Sequence, residues 1–143
     1  MADKNLSSFE TNPDSELIHG LQTATDNLLW FSEAEYPWQI YYWHDADTFS
    51  ANTLLQQNGY SATTKIAIQE LNSFFDPASR QEPWHNEAEQ IEVRRYAALV
   101  DLLKTSLSNL RVYLLGDVKL DVYVVGKTRH KAIAGLVTKA VIT

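Results

Sequence analysis

Apolar positions in the first third of the chain recur with the period of a helix. They stand at spacings of four, three and four residues, at Leu17, Leu21, Ala24 and Leu28. We expect this helix to have Asn12 as its N-cap and Pro13 at its first position, where a missing N–H costs nothing. It should end by about Tyr36, because Pro37 cannot lie far inside a helix.

Two more helices are predicted from capping residues. One runs from about Ser50 to Asn58-Gly59, where glycine favours a helix end. The longest helix follows Asn86, which together with Glu89 resembles a capping box. Its buried face is predicted to consist of Val93, Ala97, Val100, Leu103 and Leu107.

Other apolar runs have the period or composition of strands. They are "WQIYYWH", "KIAIQEL", "RVYLLGD", "VKLDVYVVGKT" and "AIAGLVTKAVIT". In the fourth run Leu120, Val122 and Val124 should face one way and the intervening residues the other, whereas "NSFFDPASRQEPW" is expected to be a loop or a single turn. The order α, β, α, β, α, β, β, β predicts an α/β fold. We expect a three-layer α/β/α sandwich around a mixed, largely antiparallel sheet.

Length and composition narrow the class of protein. The 143 residues should form one domain over residues 12–143, after a disordered polar tail at residues 1–11. No cysteine is present, which removes disulfides and thiol catalysis. A net charge of −6 argues against a protein that binds nucleic-acid phosphates directly. The chain shows no signal peptide and no run of transmembrane length, so a cytoplasmic location without membrane contact is expected.

Known catalytic patterns are absent from the sequence. The four histidines are scattered without ligand spacing, and no nucleophile elbow, P-loop or dinucleotide fingerprint occurs. The segment that begins at Asp45 resembles a calcium loop, but Ser50 replaces its turn glycine and Gln56 its last glutamate. None of these segments therefore predicts a catalytic histidine, a nucleotide-binding loop or a calcium site.

The stretch "WFSEAEYPW" combines two carboxylates, Glu33 and Glu35, with four large aromatic residues. At the end of a helix two negative charges would oppose the helix dipole, so a functional use for them is a reasonable hypothesis. The chain's last residue, Thr143, directly follows a predicted strand. A terminal carboxylate held there beside a hydroxyl would offer hard oxygens of the kind that Mg²⁺ accepts.

These residues resemble a known family, the inhibitors of sugar-non-specific nucleases. The resemblance covers nearly everything after the N-terminal tail. It rests on "LLWFSEAEYPW", "LLQQNG", "SFFDPAS" followed by Trp84, "LGDVKLDVYVVGKT" and "IAGLVTKAVIT". The chain differs from the family's typical member at Pro83 and Ile142, where that member carries acidic residues.

The resemblance implies a monomeric inhibitor, not an enzyme, that binds a DNA- and RNA-cleaving ββα-metal nuclease one to one. Glu33 and Thr143 would then approach the nuclease's Mg²⁺, while Glu35 and Trp84 would contact the nuclease. The inhibitor would have no cofactor of its own, because the metal belongs to the target. Two alternatives remain open: a generic binding module of the same fold with another target, or a small metal-dependent hydrolase that uses Glu33, Glu35 and a histidine.

Overall fold

The computed structural model describes residues 12–142. The predicted tail at residues 1–11 and Thr143 therefore lie outside the described residues. Among residues 12–142, no helix is long and apolar enough to cross a membrane.

A five-stranded sheet with the strand order β3-β7-β6-β5-β4 forms the centre of the fold. Its strands are β3 (Gln39–Trp43), β4 (Ile66–Gln69), β5 (Ser108–Leu115), β6 (Lys119–Lys127) and β7 (Ile133–Val141). Each pair of adjacent strands is antiparallel. The mixed α/β class is confirmed, but the sheet is antiparallel throughout rather than mixed.

The helices and a separate hairpin complete the described fold. The helices are α1 (Ser15–Thr25), α2 (Ala51–Gln57), α3 (Leu71–Ser79) and α4 (Glu87–Ser106), with a 3-10 turn at Ala46–Thr48. A two-stranded sheet pairs β1 (Leu29–Phe31) with β2 (Glu35–Pro37).

Two clusters of buried side chains use alternate residues of the same strands. The larger cluster contains Val122 and Val124 of β6 together with residues of α1, α3 and α4. The smaller contains Tyr123 and Val125, packed with Leu54 and Leu55 of α2. Because successive side chains of a strand point to opposite faces, the clusters lie on opposite sides of the sheet. The predicted alternation in this strand is confirmed, and the side with α2 has the thinner covering.

The first helix is shorter than predicted at both ends. Asn12 forms the preceding turn, where its side chain accepts the N–H of Asp14 at 2.8 Å, and the helix begins at Ser15. Asp14 occupies the N-cap position, but its buried carboxylate accepts the hydroxyls of Tyr42 at 3.0 Å and Thr128 at 2.9 Å. The predictions of Asn12 as the N-cap and Pro13 as the first helical residue were therefore wrong, and Asp14 instead bonds the helix start to the sheet.

The segment predicted as a loop after the second strand contains helix α3. Pro77 lies in the last turn of this helix, where it cannot donate to the Ser73 carbonyl and therefore weakens the helix. Phe75 of α3 is fully buried and Phe74 packs against the same core. Burial of these aromatic rings favours the helix in spite of the proline.

The longest helix has the predicted capping box but ends earlier than the apolar pattern suggested. The N–H of Glu89 donates to Asn86 Oδ1 at 2.8 Å, and the Asn86 N–H donates to the Glu89 carboxylate at 2.9 Å. Helix α4 ends at Ser106, because the next residues enter strand β5. Its buried face includes Tyr96 and Leu99, whereas the predicted Ala97 is exposed.

Candidate functional site

Glu33 lies in the tight turn between β1 and β2, not at the end of a helix. Helix α1 ends at Thr25, and Asn27 adopts a positive φ of 56° that turns the chain into the hairpin. Within the turn, the Ser32 N–H donates to the Ala34 carbonyl at 3.0 Å and the Ser32 hydroxyl donates to the same oxygen at 2.8 Å. The opposition between Glu33 and a helix dipole therefore does not arise, and the side chain of Glu33 is exposed at the hairpin tip.

The hairpin tip is fastened to the last strand of the sheet. The Val141 N–H donates to Ser32 Oγ at 2.9 Å, and the Glu33 N–H donates to the Val141 carbonyl at 3.1 Å. One residue later, the Ile142 N–H donates to the Val118 carbonyl at 2.8 Å. The backbone of Glu33 is thus held directly beside the end of the described chain.

Aromatic rings support the hairpin from below. Trp30 stacks on Phe74 with ring centroids 4.6 Å apart and an interplanar angle of 17°. It also makes edge contacts with Trp38, Phe75 and Tyr96 at 5.8, 5.6 and 5.7 Å. These contacts hold the Trp30 ring and strand β1 in one position, so the base of the hairpin is rigid.

Tyr96 links this aromatic base to helix α4. Its hydroxyl donates to the Leu29 carbonyl in a short hydrogen bond and accepts the Trp38 indole N–H at 3.0 Å. Burial raises the pKa of Tyr96, so the hydroxyl keeps the proton that it donates to β1. Helix α4 thereby holds the start of the hairpin in register.

Two surface grooves lie beside the hairpin. The first groove, of about 510 Å³, is bounded by the hairpin, the end of α3 and the start of α4. Its lining consists of Trp30, Phe31, Pro77, Ala78, His85, Glu89, Glu92, Val93 and Tyr96. The second groove, of about 370 Å³, lies between the hairpin turn and the end of β7, and Glu33, Phe74 and Ile142 are among its lining residues. The hairpin therefore separates two concave surfaces.

Negative charge is concentrated beside the first groove. Burial raises the pKa of Glu92, with an opposing contribution from Arg95 and further increases from Glu35 and Glu89. The Arg95 guanidinium donates to the carbonyls of Ala24 at 3.0 Å and Asp26 at 2.6 Å. Arg95 is thus committed to the end of α1, and Glu35 of the hairpin interacts electrostatically with Glu92 of α4.

Trp84 lies in the loop before α4, with 74% of its surface exposed. Its ring makes an edge contact with His85 at 6.0 Å, and His85 lines the first groove. The His85 Nδ1 accepts the Glu82 N–H at 3.1 Å, which fixes the loop against its own backbone. A large indole exposed on a fixed loop is suited to a contact with another protein.

The predicted site residues occupy one region, with one exception that the described residues do not cover. The Glu33 N–H is bonded to the Val141 carbonyl, Glu35 belongs to the same hairpin, and Trp84 precedes His85, which lines the groove that the hairpin borders. Thr143 lies outside the described residues. The sequence interpretation missed Ser32, which joins the turn to β7, and Phe31, which is 52% exposed between the grooves. A serine directly before the two glutamates was the available signal for a fixed turn.

No group of three or more His, Asp or Glu side chains within residues 12–142 is arranged to hold a metal ion. His85 lies beside Glu89 and Glu92 in the first groove, yet its Nδ1 is already occupied by the Glu82 N–H. The carboxylates of the hairpin region face outward instead, which suits an external cation or a basic surface better than an internal centre.

Comparison with known proteins gives a family for the chain. The family described as nuclease A inhibitor-like protein matches residues 15–143, nearly the whole length. No curated protein matched the chain. The match covers every helix and strand described above.

Proposed function

We propose that this chain, which belongs to the nuclease A inhibitor-like family, binds a sugar-non-specific ββα-metal nuclease and blocks its Mg²⁺-containing active site. The family itself suggests a nuclease inhibitor. The observation that carries the finer proposal is the position of Glu33, exposed at the tip of a hairpin whose turn is bonded to Val141.

A carboxylate is a suitable blocking group for such an enzyme. A metal-dependent nuclease uses Mg²⁺ to bind and polarise phosphate oxygens. Mg²⁺ prefers hard oxygen ligands, so a carboxylate of Glu33 could take the place of a phosphate oxygen or a water. The nuclease cannot cleave this ligand, and the substrate is excluded for as long as the inhibitor remains bound.

Rigidity of the hairpin makes this mode of binding favourable. A flexible loop would have to lose conformational freedom when it reached the metal, which weakens binding. Here the Ser32 hydroxyl, the Val141 carbonyl and the Trp30 ring already hold the turn in the free protein. Little of the binding free energy is then lost in ordering the loop.

The other residues of the proposed interface are Thr143, Trp84 and Glu35. We propose that Thr143, one residue beyond Ile142, brings its terminal carboxylate towards the same metal. Trp84 would act as an aromatic anchor, because exposed tryptophans often dominate the binding energy of an interface. Glu35 would face a basic part of the nuclease. The complex would be one to one, with the inhibitor a monomer in the cytoplasm and the metal supplied by the enzyme.

A second candidate is a binding module of the same fold with a different target. Ile142 favours this alternative, because it is 53% exposed where the family's typical member has a carboxylate. An apolar residue at this position changes the charge next to the presumed metal contact. The two candidates share the hairpin surface and differ in the chemistry of the partner.

A titration of the protein into a ββα-metal nuclease with Mg²⁺, monitored by DNA cleavage, tests the proposal. The Glu33→Gln variant removes the charge at the hairpin tip, and Glu16→Gln is the matched control. Glu16 lies in the first turn of α1, at the end of that helix away from the hairpin, and loses the same charge. A variant with a C-terminal extension tests the contribution of Thr143.

We expect stoichiometric inhibition by the native protein and by Glu16→Gln. Glu33→Gln should raise the inhibition constant by roughly 100-fold, since truncating a buried charged contact costs about 2–5 kcal/mol. Equal inhibition by Glu33→Gln and the native protein would contradict the metal-directed mechanism. Absence of inhibition at large excess would favour the second candidate. DNA cleavage by the isolated protein would instead support a hydrolase.

A further inference from the structure

The first groove has features that an interface around Glu33 alone does not require. Its lining does not include Ser32, Glu33 or Ile142, which line the second groove, and it has a volume of about 510 Å³. Ligand-binding clefts in proteins commonly have volumes of about 300–1,000 Å³. The groove could therefore accommodate a side chain of a partner.

The lining of the groove combines aromatic surface with carboxylates. Trp30 and Phe31 provide the accessible aromatic surface above the buried Tyr96, and Glu89 and Glu92 provide the charge. Among residues 12–142, the one basic side chain in this lining is His85, whose Nδ1 already accepts a backbone N–H. This composition matches a flat cation, which is attracted both to ring faces and to carboxylates.

Carboxylate positions strengthen the match. Glu92 is partly buried, and Glu35 and Glu89 lie near enough to raise its pKa further. Arg95, which lowers this pKa, directs its guanidinium to the carbonyls of Ala24 and Asp26. A cation from outside would reduce the repulsion among the three glutamates, so bringing one into the groove is favourable.

We propose that the first groove receives an arginine side chain of the target nuclease, stacked on aromatic surface and paired with Glu92. The inference rests on the proposed function, since it assigns to the same interface a second point of contact. Arginine fits better than lysine because its planar guanidinium stacks on rings and keeps hydrogen-bond donors free at its edge. A nuclease surface that binds phosphates carries such side chains.

The two contacts would act together. Glu33 at the hairpin tip and the groove at the hairpin's side belong to one rigid unit, because Trp30 and Phe31 precede the turn directly and line the groove. Glu33 would block the metal, which similar nucleases share. The arginine would differ among nucleases, so the groove would contribute selectivity for one target.

A probe that does not depend on any nuclease tests the groove directly. The probe is N-acetyl-arginine methylamide, and the citrulline analogue is its neutral control with nearly the same shape. NMR spectra of the labelled protein would follow the indole and amide signals of Trp30, Phe31 and Glu92. We expect saturable chemical-shift changes with the arginine compound, with a dissociation constant on the order of 10 mM. The citrulline analogue should bind roughly fivefold more weakly.

Variants distinguish the groove from general charge effects. Glu92→Gln should abolish the preference for arginine over citrulline, whereas Glu16→Gln should preserve it. Glu89→Gln retains the helix cap, because glutamine also serves in a capping box, and should weaken the arginine binding only in part. Equal shifts with the two compounds, shifts outside the groove, or no shifts would overturn the inference.

The inhibited nuclease gives the second measurement. Glu92→Gln should raise the inhibition constant by about tenfold and reduce its dependence on salt, while Glu16→Gln should change neither. Failure of the native protein to inhibit would refute the proposed function, whatever the arginine titration shows. Inhibition by the native protein that Glu92→Gln leaves intact would refute the groove contact alone.

Discussion

The central strands and the β1–β2 hairpin are held by different means. Strands β6 and β7 pair over nine positions, from Lys119↔Val141 to Lys127↔Ile133, and most of their residues are buried. The hairpin pairs only three positions, and its tip is exposed. A two-stranded hairpin this short is not stable alone in water. Its structure therefore depends on Trp30, Ser32 and the end of β7.

This difference implies that the sheet determines the stability of the fold, whereas the hairpin presents a candidate binding residue. The sheet buries apolar side chains on both faces, and its long strands form backbone hydrogen bonds with one another. The hairpin contributes little burial, but it presents Glu33 in a fixed position. Changes in the sheet should therefore reduce the free energy of unfolding, while changes in the hairpin should reduce binding more than folding.

The largest expected effect comes from Gly135, in the middle of β7. A Cβ atom there would lie 1.9 Å from the Val124 carbonyl oxygen on the neighbouring strand. Since both backbones are paired on this sheet, they cannot move apart cheaply, and Gly135→Ala should cost more than about 3 kcal/mol. Urea denaturation would measure the loss, or show that the variant does not fold.

The control for this substitution is Gly59→Ala. Gly59 follows α2 with a φ of 71°, and no atom lies within 4 Å of an added Cβ. Only the strain of a left-handed alanine remains, about 1 kcal/mol. Equal stability of the two variants would show that close packing at the centre of β7 is not the reason that Gly135 resists replacement by alanine.

The next largest effect on the stability of the fold is expected from alkaline pH. Burial raises the pKa of Tyr41 to about 12, and the hydrogen bond to the Asp121 carboxylate raises that of Tyr60 to about 12. Both tyrosines ionise near pH 10 in the unfolded chain, so above this pH the folded state binds more protons. Stability is therefore retained below about pH 10 and lost between about 10 and 12.

Tyrosinate absorbance and circular dichroism, followed together against pH, would test this expectation. Burial also raises the pKa of Tyr96, whose hydroxyl donates to the Leu29 carbonyl, so this hairpin anchor should persist until Tyr41 and Tyr60 ionise. One cooperative transition is expected. Ionisation of these tyrosines near pH 10 without unfolding would show that the native contacts do not shift them.

The same contrast explains which parts could be predicted from sequence. Strands β6 and β7 were predictable because alternation of apolar residues reports burial directly, as for Val122 and Val124. Strand β1 was assigned to the end of the first helix because Trp30 carries the same apolar signal in a helix or a strand. The contact that selects the strand, stacking on Phe74, involves a residue far along the chain. Periodicity within one segment cannot report such a partner.

The family was predictable from the residues around Glu33, whereas the geometry of this region was not. The residues around Glu33 were recognisable from their resemblance to a family, which a family match over residues 15–143 confirms. The bonds from Ser32 and Glu33 to Val141 join positions more than a hundred residues apart. Likewise, the proximity of Glu35 to Glu92 arises only when the hairpin packs beside α4.

A smaller effect on folding is expected from Ser32→Ala. The substitution removes the acceptor for the Val141 N–H, and one hydrogen bond contributes about 1 kcal/mol. Hydrogen exchange at Val141 should accelerate about fivefold, while inhibition of the nuclease should weaken by roughly tenfold because the turn must be ordered on binding. The control is Ser61→Ala, whose exposed hydroxyl contacts only neighbouring threonines. Equal inhibition by both variants would mean that preorganisation of the turn is unimportant.

The smallest effect on stability should come from Trp84→Ala, because 74% of this side chain is already exposed. Removing it takes little apolar area from the core, so the free energy of unfolding should change by less than about 0.5 kcal/mol. The free energy of binding to the nuclease should instead weaken by about 2 kcal/mol or more if Trp84 enters a pocket on the nuclease. Trp84→Phe keeps an aromatic ring and should restore part of the affinity. Urea denaturation and titration of the same variants measure both quantities. Trp84 would thus affect binding without affecting folding, whereas Gly135 affects folding. Unchanged inhibition by Trp84→Ala would mean that the interface is limited to the hairpin and its grooves.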